Sequence, residues 1–172
     1  MMDTILTWAP AVLGTTAERW LGLTANVPVE LLTRPPAAGE WSALDCLQHL
    51  VDTERLIFAA RVRYLLAGED FPSFDPDSQG TQPNVDLSPA ALAQSFAAMR
   101  VESLALVATL TPADLQRRSR HSELGTVTLS EHLHEWAGHD LMHTVQAERA
   151  LMQPFIDGCG PWQGYFADHV AA

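Results

Sequence analysis

Four segments with a helical hydrophobic period constrain the fold of this chain most strongly. In each of them apolar residues recur at intervals of three, four and seven, so that one face of a helix can be buried. The segments run from about Asp3 to Ala25, from Ser42 to Ala67, from Ser88 to Leu110 and from Thr128 to Met152. Because no credible strand accompanies them, they predict an all-α four-helix bundle.

Local start and stop signals support these helix limits. Ser42 with Asp45, and Thr128 with Glu131, have the spacing of a capping box at a helix N-terminus. Gly68 is typical of the residue that ends a helix. The stretch 117–127 contains small residues and a glycine, and either a loop or a minimal hairpin fits it.

The connection between the second and third helices, residues 69–87, is long and rich in Pro, Asp, Ser and Gly. Its roughly nineteen residues span on the order of 60 Å when extended, against about 35 to 40 Å for a helix of roughly 25 residues. We therefore expect a crossover along the length of the bundle.

Length and composition predict one domain, 1–172, and exclude several functions. The chain has 172 residues, ten basic residues against 21 acidic ones and a formal net charge of -11, which disfavours nucleic acid as a partner. All ten basic residues are Arg, so a P-loop lysine or a Schiff-base lysine is excluded. No apolar run approaches the ~18 residues of a membrane span, and no signal peptide is expected. Together with only two cysteines, this predicts a cytoplasmic location.

Two histidines on the fourth helix have a spacing suited to a metal ion. His139 and His143 lie about 40° apart around the helix axis and about 6 Å apart along it, so both can reach one ion. They share an apolar stripe with Leu133 and Trp136. The alternative is a pair of hydrogen-bonded core histidines.

The second helix contributes a third candidate ligand, His49. Three histidines from two facing helices, with one coordination position open, are typical of a catalytic metal. His132 and Cys46 are weaker candidates, since a histidine at a helix end is usually half exposed and a small cysteine under an aromatic ring usually packs.

Several charged residues near these histidines have two interpretations each. Asp140 and Glu54 either accept the second ring N–H of a histidine or lie on a solvated face, whereas Asp52 is expected to be solvated. Five arginines either bind a carboxylate of the substrate or pair with the abundant acids: Arg55, Arg61, Arg63, Arg100 and Arg149.

Two motifs in this order resemble the DinB/YfiT-like superfamily of metalloenzymes over nearly the whole chain. The first is Glu40-Trp41-Ser42 before a helix with Gln48-His49-Leu50 and Asp52-x-Glu54, and the second is His139-Asp140-x-x-His143-x-x-Gln146. The resemblance implies an up-down-down-up bundle and a divalent metal, commonly zinc or nickel, held by His49, His139 and His143. It also implies a homodimer, and an apolar turn around Trp162 and Phe166 agrees with one.

The same resemblance implies an enzyme that joins a low-molecular-weight thiol to an electrophile, with a small-molecule substrate and no nucleic acid or membrane as partner. Metal-dependent hydrolysis is an alternative, with Glu54 or Asp140 as the candidate base. A second alternative is a non-enzymatic stress protein that binds a metal or a small ligand.

Overall fold

Four long helices lie side by side in the computed structural model, which describes residues 4–74 and 87–171. The helices are α1 (Ile5–Asn26), α2 (Val29–Leu32), α3 (Ala43–Thr53), α4 (Ala59–Ala67), α5 (Pro89–Val107) and α6 (Leu129–Gly158). A π-helical turn, Glu54–Phe58, joins α3 to α4, so these three elements form one continuous helix, the second of the bundle. Short 3-10 helices cover Asp114–Gln116 and Gly160–His169.

Both predicted capping boxes are present. The Ser42 hydroxyl accepts a hydrogen bond from the Asp45 backbone N–H at 3.2 Å, and the Asp45 carboxylate accepts one from the Ser42 N–H at 2.9 Å. Thr128 and Glu131 make the same reciprocal pair at 3.2 and 2.7 Å. The second helix ends at Gly68, whose φ of 72° lies in the left-handed region that favours glycine.

The last long helix extends beyond its predicted end at Met152. It continues through Pro154 to Gly158, although the proline lacks a backbone donor and its ring crowds the carbonyl of the preceding turn. Ile156 beyond it is almost fully buried, and the Gln153 amide donates to two backbone carbonyls at 2.8 and 2.9 Å. Tertiary packing therefore outweighs the local stop signal.

The stretch that allowed either a loop or a hairpin forms a hairpin. Strands β1 (Arg118–His121) and β2 (Gly125–Thr128) pair antiparallel, with His121 opposite Gly125. Phe71 docks beside β1 by donating its backbone N–H to the Arg120 carbonyl at 3.1 Å. The hairpin thus lies against the segment that leaves α4.

Two clusters of buried residues define the helix directions. One contains Ile5 from α1, Leu65 from α4, Val107 from α5 and Leu133 from α6. The other contains Trp20 from α1, Leu47 from α3, Leu92 from α5 and Ala147 from α6. The chain therefore runs in one direction in α1 and α6 and in the other in α3–α4 and α5, which is the predicted up-down-down-up order. The predicted crossover joins helix ends at opposite ends of the bundle, and its residues 75–86 lie outside the described residues.

One helix of the described residues, α5, is long and apolar enough to cross a membrane by length and composition alone, which the sequence analysis did not anticipate. It packs against α1 and α3 inside the bundle. It also carries a buried arginine at its centre, and 33% of its apolar window is buried within the bundle.

That arginine, Arg100, connects all four long helices. Its guanidinium donates to both oxygens of Glu54 in the π-helical turn at 3.0 and 2.8 Å, to Asp140 of α6 at 2.6 Å and to the Leu13 carbonyl of α1 at 3.0 Å. All three charged side chains are at most 1% exposed. Burial raises the pKa of Glu54 and of Asp140, and one guanidinium offsets this only in part because it must neutralise two carboxylates.

Replacing Arg100 tests how much it contributes to the stability of the fold. Arg100→Met leaves two buried carboxylates without a countercharge, so we expect the free energy of unfolding to fall by about 3 to 5 kcal/mol. Urea unfolding followed by circular dichroism measures this. The exposed Arg63→Met on α4 is the matched control and should change stability by less than about 0.5 kcal/mol. A loss below about 1 kcal/mol for Arg100→Met would contradict this account.

Candidate metal centre

The structure brings the three candidate ligands together. His139 and His143 lie one turn apart on α6, and His49 faces them from α3. The Nε2 atoms of His49 and His139 are 3.1 Å apart, and the ring centre of His143 lies 4.6 Å from that of His49 and 4.5 Å from that of His139. One ligand atom of each histidine lies within 4.8 Å of the other two.

These three imidazoles fit a divalent transition metal. Two nitrogens that bind one tetrahedral ion at about 2.0 to 2.1 Å are about 3.3 Å apart, close to the separation of the His49 and His139 Nε2 atoms. Burial lowers the pKa of His49 to about 4 and that of His139 to about 3, with neighbouring His143 adding to both shifts. Both rings are therefore neutral at pH 7, as metal binding requires, and imidazole donors suit zinc and nickel.

Aromatic rings enclose the histidines on two sides. The Trp41 ring, just before α3, lies 5.1 Å from His49 and stacks on His143 at 5.7 Å. The Phe58 ring meets His139 edge-on, with ring centres 4.9 Å apart. In the sequence Trp41 is noted only as part of the motif before α3, and its contact with the ligands was not predicted.

The orientation of His143 comes from a residue whose role the sequence analysis missed. His143 Nδ1 donates to the Gln146 side-chain oxygen at 2.9 Å, which leaves Nε2 free to bind a metal. Gln146 lies three residues further along the same helix face, and that spacing is the signal that identifies it. Within the described parts of the chain, the buried Nδ1 atoms of His49 and His139 have no hydrogen-bond partner.

The structure agrees with neither interpretation of Glu54 and Asp140, the histidine partner or the solvated face. Glu54 and Asp140 bind Arg100 instead, because a buried guanidinium needs countercharges more than a neutral imidazole does. Asp52, expected to be solvated, is 1% exposed and accepts hydrogen bonds from Gln48 and Arg55.

The two weaker ligand candidates lie outside the cluster of three histidines. His132 is buried, with Nε2 at 3.1 Å from the Phe58 carbonyl and Nδ1 at 3.2 Å from Glu135. Cys46 is fully buried, and burial raises the pKa of its thiol to about 12. The structure therefore supports a packing role for Cys46 and a hydrogen-bonding role for His132.

Comparison with known proteins agrees with this geometry. The sequence model of the DinB superfamily matches residues 13–147. The chain belongs to the DinB superfamily.

The predicted family and bundle fold are thus confirmed. Among solved structures, the chain is similar to YfiT from Bacillus subtilis, described as "a probable metal-dependent hydrolase with an unusual four-helix bundle topology". The two share 18% sequence identity over 90% of each chain, with a TM-score of 0.75. A search of curated proteins found no match.

Removing one histidine of this DinB protein tests the site. Purified without chelator, it should hold about one transition-metal ion per chain, and His139→Ala should largely empty the site because two imidazoles remain. Elemental analysis measures the metal content. His134→Ala is the matched control, since His134 is exposed on the same helix and should leave metal content unchanged. A wild-type protein that takes up neither zinc nor nickel would contradict the assignment.

Proposed function

We propose that this protein is a metal-dependent enzyme whose His49, His139 and His143 hold one divalent ion, zinc or nickel. The observation that carries the proposal is the convergence of three neutral imidazoles. In the described parts of the chain, no fourth His, Cys, Asp or Glu joins their group. Three protein ligands leave a tetrahedral ion one open position, which is typical of catalytic sites and not of structural ones.

The nucleophile of the proposed reaction comes from outside the protein. Cys46 is buried as a thiol with a pKa of about 12, and the chain contains no lysine. A bound metal would lower the pKa of a thiol or a water molecule that occupies its open position. Trp41 stacks on His143 and Phe58 contacts His139 edge-on, so both rings add apolar surface beside the ligands.

A low-molecular-weight thiol is the nucleophile that we favour. Both carboxylates proposed as general bases, Glu54 and Asp140, are buried and bound to Arg100, so neither is free to take a proton from water. A thiol needs less help, since its ordinary pKa is about 8.5 against about 15.7 for water. In the transfer, the thiol proton goes to solvent, sulfur bonds to the electrophilic carbon, and the leaving group departs with its electron pair.

Metal-dependent hydrolysis is the second candidate function. The similarity to YfiT, which is described as a probable metal-dependent hydrolase, supports it. Hydrolysis at this site would have to activate water without Glu54 or Asp140 as the base, because both bind Arg100. The two candidates differ in one requirement, an added thiol.

The need for an added thiol separates thiol transfer from hydrolysis. Metal-loaded protein is incubated with a chlorinated dinitrobenzene and, in turn, bacillithiol, mycothiol and glutathione. We expect metal-dependent conjugation with at least one thiol, followed by absorbance, and a loss of at least about a hundredfold in His143→Ala because the ion is lost. His134→Ala should retain full activity.

Nitrophenyl esters offered without thiol provide the opposing measurement. Metal-dependent ester turnover without any thiol, together with no conjugation, would establish the hydrolase instead.

A further inference from the structure

Only one of the five arginines considered as anion ligands is partly buried and belongs to none of the ion pairs in the part of the chain that the structure describes. Arg63 is exposed on α4. Arg61, two residues earlier, is half-buried and makes no ion pair in the described parts of the chain. The other three pair with acids: Arg55 with Asp52, Arg100 with Glu54 and Asp140, and Arg149 with Glu40.

Arg61 lines a cavity of about 170 Å³ between α4, the hairpin and the start of α6. Much of the wall is apolar, from Phe71, Leu124 and Val127, and the Arg61 guanidinium lies over the Phe71 ring at 5.4 Å. A cavity of about 150 Å³ accommodates benzene in a protein core. The volume therefore suits a ligand with a body the size of one six-membered ring.

A second hydrogen-bond donor faces this cavity beside Arg61. His121 is 5% exposed, and its Nδ1 accepts hydrogen bonds from the backbone N–H groups of Glu123 and Leu124, both at 3.2 Å. A neutral ring then carries its hydrogen on Nε2. Because Arg61 Nη2 lies 3.3 Å from this Nε2, two donors face each other and neither satisfies the other.

Burial and the charge of Arg61 lower the pKa of His121, which keeps the ring in this neutral form. A ligand oxygen between the two N–H groups would accept from both. The pair is thus suited to one oxygen atom of an anion.

Two acidic side chains of the same wall limit the charge of the ligand. The Glu131 carboxylate caps α6 through Thr128 at 2.7 and 2.8 Å, and Glu135 lies 3.2 Å from His132 Nδ1. Each carboxylate therefore has another partner, although the charge of Glu135 also acts on Arg61 and His121, where it offsets part of the lowering of their pKa values by burial. Their negative charges still disfavour a dianion such as phosphate, so a single negative charge fits the cavity better.

We propose that this cavity binds a small monoanionic carboxylate with an apolar body, whose oxygen accepts hydrogen bonds from Arg61 and His121. The site is separate from the histidine cluster. The Phe58 ring lies between them, 4.9 Å from the ring of His139 and 5.8 Å from that of His132 in the cavity wall. Binding there needs no metal, so the proposal stands apart from the proposed reaction.

Titration calorimetry of metal-free protein tests this site. The ligands are acetate, butyrate, benzoate and inorganic phosphate, and we expect saturable one-to-one binding with benzoate tightest and phosphate weakest. Arg61→Gln should weaken benzoate binding about tenfold or more, since it removes a charge-assisted hydrogen bond. Arg63→Gln is the matched control and should bind as the wild type does.

Two further variants test the cavity itself and its independence from the metal centre. Val127→Phe leaves both donors in place but fills the cavity, and it should weaken benzoate binding even if Arg61→Gln fails to fold. His139→Ala should bind benzoate unchanged, which separates this site from the metal centre. The proposal is overturned if metal-free protein binds none of the carboxylates, if phosphate binds more tightly than benzoate, or if His139→Ala abolishes binding. Unchanged affinity in folded Arg61→Gln, or in Val127→Phe, would equally overturn it.

Discussion

A single buried guanidinium holds the four helices of this bundle in their relative positions. Arg100 on α5 bonds to Glu54 and Asp140 and to the Leu13 carbonyl, so a shift of any one helix would leave a buried charge or carbonyl without its partner. Asp140 follows His139 directly in the sequence. The same interaction that fixes the helices therefore fixes the backbone that presents a candidate ligand.

The π-helical turn in the second helix connects this ion cluster to the histidines. Within this turn Glu54 binds Arg100, and Phe58, four residues later, contacts His139. The turn thus supplies both a countercharge in the core and one wall of the candidate metal centre. Beyond it, Arg61 reaches the cavity at the hairpin. Three features of the molecule share this short stretch of helix.

The helices, the capping boxes and the His139–His143 pair could be predicted because these features depend on short spacings along one helix. His49 lies on another helix and was predicted as the third ligand from two facing helices and from the family resemblance. The contacts between helices that hold the buried charges were not predicted. The alternative in which the arginines pair with acids is correct for Arg100, but nothing local in the sequence identifies Glu54 and Asp140 as its partners. The end of α6 was wrong for a similar reason, since the burial of Ile156 outweighs Pro154. The π-helical turn has no sequence signal that we recognise.

The coordination shell of the bound metal tests the central claim most directly. X-ray absorption spectroscopy of the zinc-loaded protein should show three imidazole nitrogens at about 2.0 to 2.1 Å and one further light ligand. His49, His139 and His143 predict this shell, because no sulfur belongs to their group in the described residues. In buffer without any thiol, a sulfur ligand at about 2.3 Å, or a shell with no imidazole scattering, would contradict the account.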